Sequence, residues 1–319
     1  WEVAGETTSP SINDQFTTGF GGSFLGEPLF RMASLLLESG SGGSPGFWRE
    51  LGAAAMSPST GFNRWAHGKR FDGVFRSNNP AAYTLIGVGV NVSSNVESSV
   101  NANGDPEAAA TPQSYENGEV VADVTIGYGL PGKLGYTYTR PFDYFHFQFT
   151  AATSNVLENV ITRGLLIGTD YAVGDNYRGV WGLYGTYDYI APQIFRISTT
   201  AAALGTTGQW WLSRTVALQG SVLAGVGYGS AGTVRGVGER DYHNGVTPQG
   251  LVALRLIMSD RVSLDLSARD YYVSDLASDE NNGSENILRG DIALTVRLYN
   301  LHGIALKYVT SRRHAEYEG

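Results

Sequence analysis

Long segments that alternate apolar and polar side chains one for one constrain this chain more than anything else in it. From Val262 it reads Val-Ser-Leu-Asp-Leu-Ser-Ala-Arg, with Val262, Leu264, Leu266 and Ala268 on one side and Ser263, Asp265, Ser267 and Arg269 on the other. Successive side chains leave a strand on opposite faces, so a period of two with this contrast describes a strand lying between two media. The pattern recurs. Leu288, Ile292, Leu294, Val296 and Leu298 oppose Arg289, Asp291, Thr295 and Arg297. Val120, Ala122, Val124, Ile126 and Tyr128 oppose Glu119, Asp123 and Thr125. Trp181, Leu183, Tyr187 and Tyr189 oppose Arg178, Tyr184, Thr186 and Asp188, and Phe145, Phe147 and Phe149 oppose Tyr144, His146 and Gln148.

A soluble β-sandwich alternates as well, and three features put lipid on the apolar side. Several segments run for about ten residues or more, the length of a tilted membrane strand rather than of a typical globular one. Tyrosines gather towards segment ends (Tyr128, Tyr228, Tyr271, Tyr272, Tyr299, Tyr308), as in the aromatic girdles of membrane barrels. Connections alternate in length. Short turns are expected at Leu130–Lys133, Leu212–Arg214, Ser259–Arg261 and Asn300–Gly303, and long polar loops at Ser93–Asn117, Gly229–Gly245 and Asp275–Glu285. Short periplasmic turns with long external loops are the outer-membrane arrangement. No apolar run reaches the ~18 residues of a transmembrane helix, and a barrel needs none.

The expected fold is therefore an all-β transmembrane barrel over residues 81–319, in a bacterial outer membrane. Strands are expected at about 82–95, 116–129, 134–153, 157–172, 177–189, 193–211, 215–229, 246–258, 262–274, 285–299 and 303–314. Bacterial single-chain barrels normally have an even number of strands. Eleven segments thus imply a barrel of about twelve, its closing strand lying beyond Gly319. The chain starts at Trp1 without a leader, which an exported protein would have lost.

Residues 1–80 have a different grain. A stretch opening at Gly26-Glu27-Pro28 keeps helical spacing through Phe30, Ala33, Leu36 and Leu37, and a second helix is expected over Pro45–Ala55. A turn and short helical segment follow from Ser57 to Trp65. Glu27 and Arg31 sit four apart on one helix face, placed to form an ion pair. These helices are too short to span a bilayer and could lie at the membrane interface, fill the barrel mouth or sit in the periplasm. Because a twelve-strand barrel has to fill its interior, the segment is expected to plug the lumen or to seal the periplasmic mouth.

The register puts Glu119, Asp123, His146, Arg178, Asp188, Arg196, Asp265, Arg269, Arg289, Asp291, Arg297 and Lys307 in the lumen. A network of arginine–carboxylate pairs is the plain reading of that set, and a selective path for a polar solute the functional one. Catalytic signals are weak. Of five histidines, His146 alone is expected on a barrel wall, where a Ser–His–acid site of a lipid or lipopolysaccharide hydrolase would need it. None has a zinc-like spacing and the chain has no cysteine, so no metal site and no cofactor is expected. The acidic stretch Ser274–Asn282 lacks calcium-loop spacing, and no helix follows Gly225–Gly229, so neither is a cation or phosphate loop. A net charge of −8 speaks against nucleic acid. The partners expected are outer-membrane lipids, lipopolysaccharide and other envelope proteins.

The N-terminal block carries a more specific signal: Pro10-Ser11-Ile12-Asn13-Asp14, Thr17-Thr18, Gly21-Gly22, Gly26-Glu27 with Arg31, Trp48-Arg49-Glu50 and Asn63-Arg64. With Arg140-Pro141-Phe142-Asp143-Tyr144-Phe145, Tyr187-Asp188-Tyr189-Ile190-Ala191-Pro192-Gln193 and Ser311-Arg312-Arg313, it resembles a family of uncharacterised bacterial outer-membrane proteins known only as a domain of unknown function. The resemblance implies a barrel with an N-terminal appendage. It supplies no activity and no site.

Overall fold

The structure is a computed structural model that describes residues 19–38, 45–68, 73–97, 113–192, 195–235, 239–274 and 283–317. Three helices come first: α1 (Gly22–Glu38), α2 (Phe47–Met56) and α3 (Pro58–His67). Eleven strands follow: β1 (Ala82–Glu97), β2 (Gln113–Tyr128), β3 (Phe145–Ala152), β4 (Asn159–Val173), β5 (Tyr177–Ile190), β6 (Phe195–Trp211), β7 (Val216–Arg235), β8 (Glu239–Met258), β9 (Val262–Ser274), β10 (Gly283–Tyr299) and β11 (His302–Tyr317). They form one antiparallel sheet in sequence order, curled into a nearly closed barrel. Contacts across the interior register the curl. Asp188 of β5 meets Tyr271 of β9, and the Arg255 guanidinium of β8 lies 4.1 Å from the centre of the Tyr83 ring of β1.

The eleven expected strands are all present. Two connections differ from expectation. β7 and β8 continue as a paired hairpin to Arg235 and Glu239, so most of the loop expected at 229–245 is strand. The short turn expected at Leu130–Lys133 is instead a connection of residues 129–144, and β3 is only eight residues long. That connection folds back on itself. Tyr138 donates its hydroxyl to the Gly129 carbonyl, and Tyr136 to that of Asp143. Gly129 has φ +68°, and a Cβ there would strike the Asp143 carbonyl, so the turn requires glycine.

β1 and β11 are the two edges of the sheet. With an odd number of antiparallel strands they run in the same direction. Lys307 of β11 and Asp123 of β2 approach to 3.7 Å across the seam.

The helices also depart from expectation in detail. α1 starts at Gly22, so Pro28 lies inside it rather than at its first turn. α2 and α3 form a hairpin tied by a two-pronged bond from Arg64 to Glu50 (2.9 and 2.7 Å). Ala53 of α2 packs against Ala33 and Leu37 of α1. Among the described residues no helix is long and apolar enough to cross a membrane, which says nothing about strands.

Candidate functional site

Each strand sorts its side chains into a wall face and a lumen face, and the register identifies which is which. Ile161, Ile190, Phe195, Ile197, Val273 and Ile287 belong to five different strands yet form one buried cluster. Only the interior brings those strands together. From them the pairing propagates the inward set: even residues on β3 and β5, odd residues on β6 to β11 and on β1 and β2.

The outward set is apolar and open. Val88, Val90, Leu204, Val222, Leu254, Leu294 and Leu306 are among its exposed members. On β10 the belt runs from Leu288 to Leu298. At ~3.3 Å per residue and a tilt of ~40° that is about 25 Å of height, the height of the apolar band on outer-membrane barrels. Beyond it, towards the long loops, the outer face turns polar with Arg196, Asp270, Asn286 and Arg312. Exposed Trp210 and Tyr299 lie at the short-turn end and Tyr272 at the other margin, whereas Tyr308, paired with Ile292, lies within the belt. Tyr271, expected among these girdle residues, points inward and is fully buried, and Tyr128 faces outward but is covered by α1.

Three layers occupy the lumen along β4 to β10, whereas inward Asp123 and Lys307 beside the seam stay partly exposed. The apolar cluster above closes the lumen towards the long loops. Tyr144, Leu165, Val180, Tyr184, Ala203 and Leu223 close it towards the short turns. Between them lies a polar layer. Asp188 accepts the Tyr271 hydroxyl at 2.7 Å, and Arg269 and Arg289 share Asp291 at 3.2 and 3.8 Å. Asp265 pairs with Arg255 at 3.4 Å. Gln249 donates to Thr186 at 2.7 Å and accepts from Thr199 at 3.0 Å. A cavity of about 20 Å³ lies among Arg163, Thr186, Asp188, Gln249 and Arg269, large enough for about one water.

Of the lumen residues expected from sequence, Glu119, Asp123, His146, Arg178, Asp188, Asp265, Arg269, Arg289, Asp291, Arg297 and Lys307 all carry inward register. Glu119 accepts from Asn91 at 2.9 Å and from Ser154, and Asp123 accepts from Thr150 at 2.8 Å. Arg297 sits at the rim, paired with Asp260 at 2.7 Å. Arg196 is the exception and faces outward. Its neighbours Phe195 and Ile197 turn into the apolar closing layer, so the polarity rule inverts at that end of the strand. His146 points inward opposite Arg163, and its buried Nδ1 has no hydrogen-bond partner. Among the described residues no hydrogen bond joins its Nδ1 to a serine or carboxylate. Sequence reading missed Arg163, Arg255, Gln249 and Tyr271. Arg163 lies between inward Ile161 and Leu165, so alternation alone did not mark it.

The described N-terminal helices take a position that the sequence left open. α1 packs against Ile126, Tyr128, Phe145, Phe147 and Val160, all outward-facing, with Tyr187 and Tyr189 beside them. Thr162, outward on β4, donates to the Phe24 carbonyl at 3.2 Å. The described helices therefore lie as a clasp along the outer wall of β2 to β5, with the C-terminal half of α1 at the short-turn end beside Tyr128 and Asp143, and do not enter the lumen. The described part of the N-terminal segment is therefore not a lumen plug. Residues 1–18 lie outside the described residues.

One buried ion cluster fixes the clasp. Arg31 donates to Glu27 at 2.7 Å, to Asp143 at 2.9 Å and to the Pro141 carbonyl at 2.6 Å. Asp143 also accepts from the backbone N–H groups of Thr139 and Arg140 at 3.0 and 2.7 Å. The guanidinium groups of Arg31 and Arg140 both lie against the Phe75 ring. Burial works against the charge on Arg31, but the hydrogen bonds and charges of Glu27 and Asp143 outweigh it and raise its pKa. In the helical hairpin, the bond from Arg64 holds the Glu50 carboxyl below its ordinary pKa, against the smaller effect of burial. The pair expected from sequence, Glu27 with Arg31, thus forms, but its main anchor is Asp143, on the connection between β2 and β3.

Residues 1–59 match the family described as Domain of unknown function (DUF3943). The match falls on the block that bears the sequence resemblance and that carries Glu27 and Arg31. No curated protein and no solved structure matches the chain.

Proposed function

We propose that the chain is a transmembrane β-barrel of a Gram-negative outer membrane, sealed by its own side chains and structural rather than conductive in its resting form. The reading of a sealed, structural barrel rests on one observation: two apolar layers bracket the polar layer of the lumen, and the cavity between them is about 20 Å³. A solute path of hydrated-ion width would need both layers to move.

The membrane assignment draws support from the apolar belt. A broad exposed apolar belt, interrupted only where α1 covers β2 to β5, is what a bilayer accepts and what soluble monomers avoid. In this orientation the short turns face the periplasm, with the clasp beside them. The polar margin beyond the belt faces outward, towards lipopolysaccharide. The helices and the polar rim are the surfaces available to other envelope proteins.

The test is conductance of the purified full chain in planar bilayers, with insertion checked in proteoliposomes. The expected result is insertion without a steady current. A stable ohmic channel would overturn the sealed reading, and failure to insert would overturn the membrane assignment.

A further inference from the structure

Among the described residues, the helical hairpin outside the barrel presents exposed aromatic residues to its surroundings. Trp48 is 78% exposed and Trp65 84%, with Phe47 at 70% and Phe62 at 59%. These residues are not scattered. On α2 the side formed by Gly52, Ala53 and Met56 turns towards α1, with Gly52 against Leu36 and Ala53 and Met56 in the cluster with Ala33 and Leu37. Phe47, Trp48 and Leu51 occupy the opposite side at helical spacing. The Phe47 and Trp48 rings pack on each other at 5.3 Å, and Phe62 and Trp65 on α3 at 6.4 Å.

The position of the hairpin says what covers those rings. α1 carries the hairpin, and α1 is docked on the outward face of β2 to β5, beside the last residue of β2 and the first of β3. The hairpin thus adjoins the apolar belt at the margin that also bears Trp210 and Tyr299. Tryptophan and phenylalanine at that level match the boundary between headgroups and acyl chains, where an amphipathic helix lies flat with its apolar side down. Both helices have only ten residues, so they can lie on the bilayer but cannot span it.

We infer that α2 and α3 form an interfacial anchor, with Trp48 and Trp65 inserted into the lipid at the short-turn end of the barrel. The occupant of this surface is the bilayer that holds the barrel, so the inference rests on the membrane reading above. The clasp then fastens the wall to its lipid collar on one side of the β2–β3 notch, where the sheet is shortest.

The absence of cysteine makes a clean test possible. Single-cysteine variants Trp48→Cys and Trp65→Cys are labelled with an environment-sensitive fluorophore and reconstituted in phosphatidylethanolamine–phosphatidylglycerol vesicles containing lipids brominated near the headgroup or deep in the chain. Leu294→Cys on the belt and Arg312→Cys above it serve as references. The expected result is at least twofold quenching at positions 48 and 65 by the shallow bromines, weaker quenching by the deep ones, quenching at 294 and none at 312. If 294 is quenched while either helical site is not, the anchor is wrong and the barrel stays in the membrane; an aromatic surface kept for a protein partner would behave this way. If 294 is unquenched, the membrane reading fails and takes the anchor with it.

Discussion

Two buried or half-buried charges behave in opposite ways. Arg31 and Asp143 are nearly inaccessible, and both are held by several hydrogen-bond partners. Removing one partner strands the other, a loss of about 3–5 kcal/mol in buried pairs. Asp143→Ala is expected to lower stability on that scale and to free α1 from the wall, as a fall in urea midpoint would register. Arg31→Lys should recover little, because a single ammonium cannot reach Glu27, Asp143 and the Pro141 carbonyl together. Glu158, in the connection ahead of β4, is the reverse case. Burial raises its pKa, and the positive charge of Arg289 only partly offsets this. A carboxyl whose folded pKa is raised weakens the fold as pH climbs, because the unfolded chain loses its proton first. The penalty is absent below the ordinary carboxylate range and complete above the raised value. Glu158→Gln should therefore leave stability unchanged at about pH 3.5 and increase it at about pH 7, where charge is disfavoured. Equal effects at both pH values would refute this account.

The elements were largely legible in the sequence because alternation is imposed twice, once by the exposed apolar outer wall and once by the lumen. β9 and β10 show it in full, and their register follows directly from the letters. Legibility fails where one of those conditions changes. At the loop end of β6 the lumen is apolar, so Phe195 and Ile197 turn inward and Arg196 was assigned to the wrong face. Around β3 the outer face is covered by protein, so Phe145 and Phe147 read as lipid-facing when they support a helix. The position of α1 was illegible for the same reason: a helix with one apolar face fits the lumen, the wall or the membrane equally well by pattern. Its docking depends instead on small residues opposite it. Gly185, outward on β5, leaves room for the Phe24 ring, and a Cβ there would come within 2.8 Å of it. Gly185→Leu is expected to push Phe24 away and release the helices while leaving the barrel folded. Limited proteolysis should then cut between α1 and α2 and spare the strands. Gly89→Ala on β1, where a Cβ meets nothing, should not change the digestion pattern.

At the scale of the whole molecule, the clasp and the seal are separate devices, and this separation can be tested. The clasp lies outside the wall, so it holds the barrel without closing it. In the sealed reading proposed above, closure belongs to the lumen layers, and the upper one depends on large side chains contributed from opposite walls, Phe195 on β6 and Tyr271 on β9. Truncating both removes two aromatic rings from one level and leaves Asp188 without its hydroxyl donor. Each truncation costs about 3–5 kcal/mol, so the variant is to be checked for folding before it is measured. The polar layer beneath would then be open to water from the loop end, and its arginines and carboxylates would line a hydrated vestibule. The lower layer, built on Tyr144 and Tyr184, would still stand in the way. Phe195→Ala with Tyr271→Ala should therefore admit water and small probes to the polar layer without passing steady current. Adding Tyr184→Ala should open a path and produce conductance. Asp143→Ala, which loosens the clasp, should leave the bilayer current at its resting level. Current from the clasp variant with none from the triple variant would mean that the external helices, and not the lumen side chains, close the barrel.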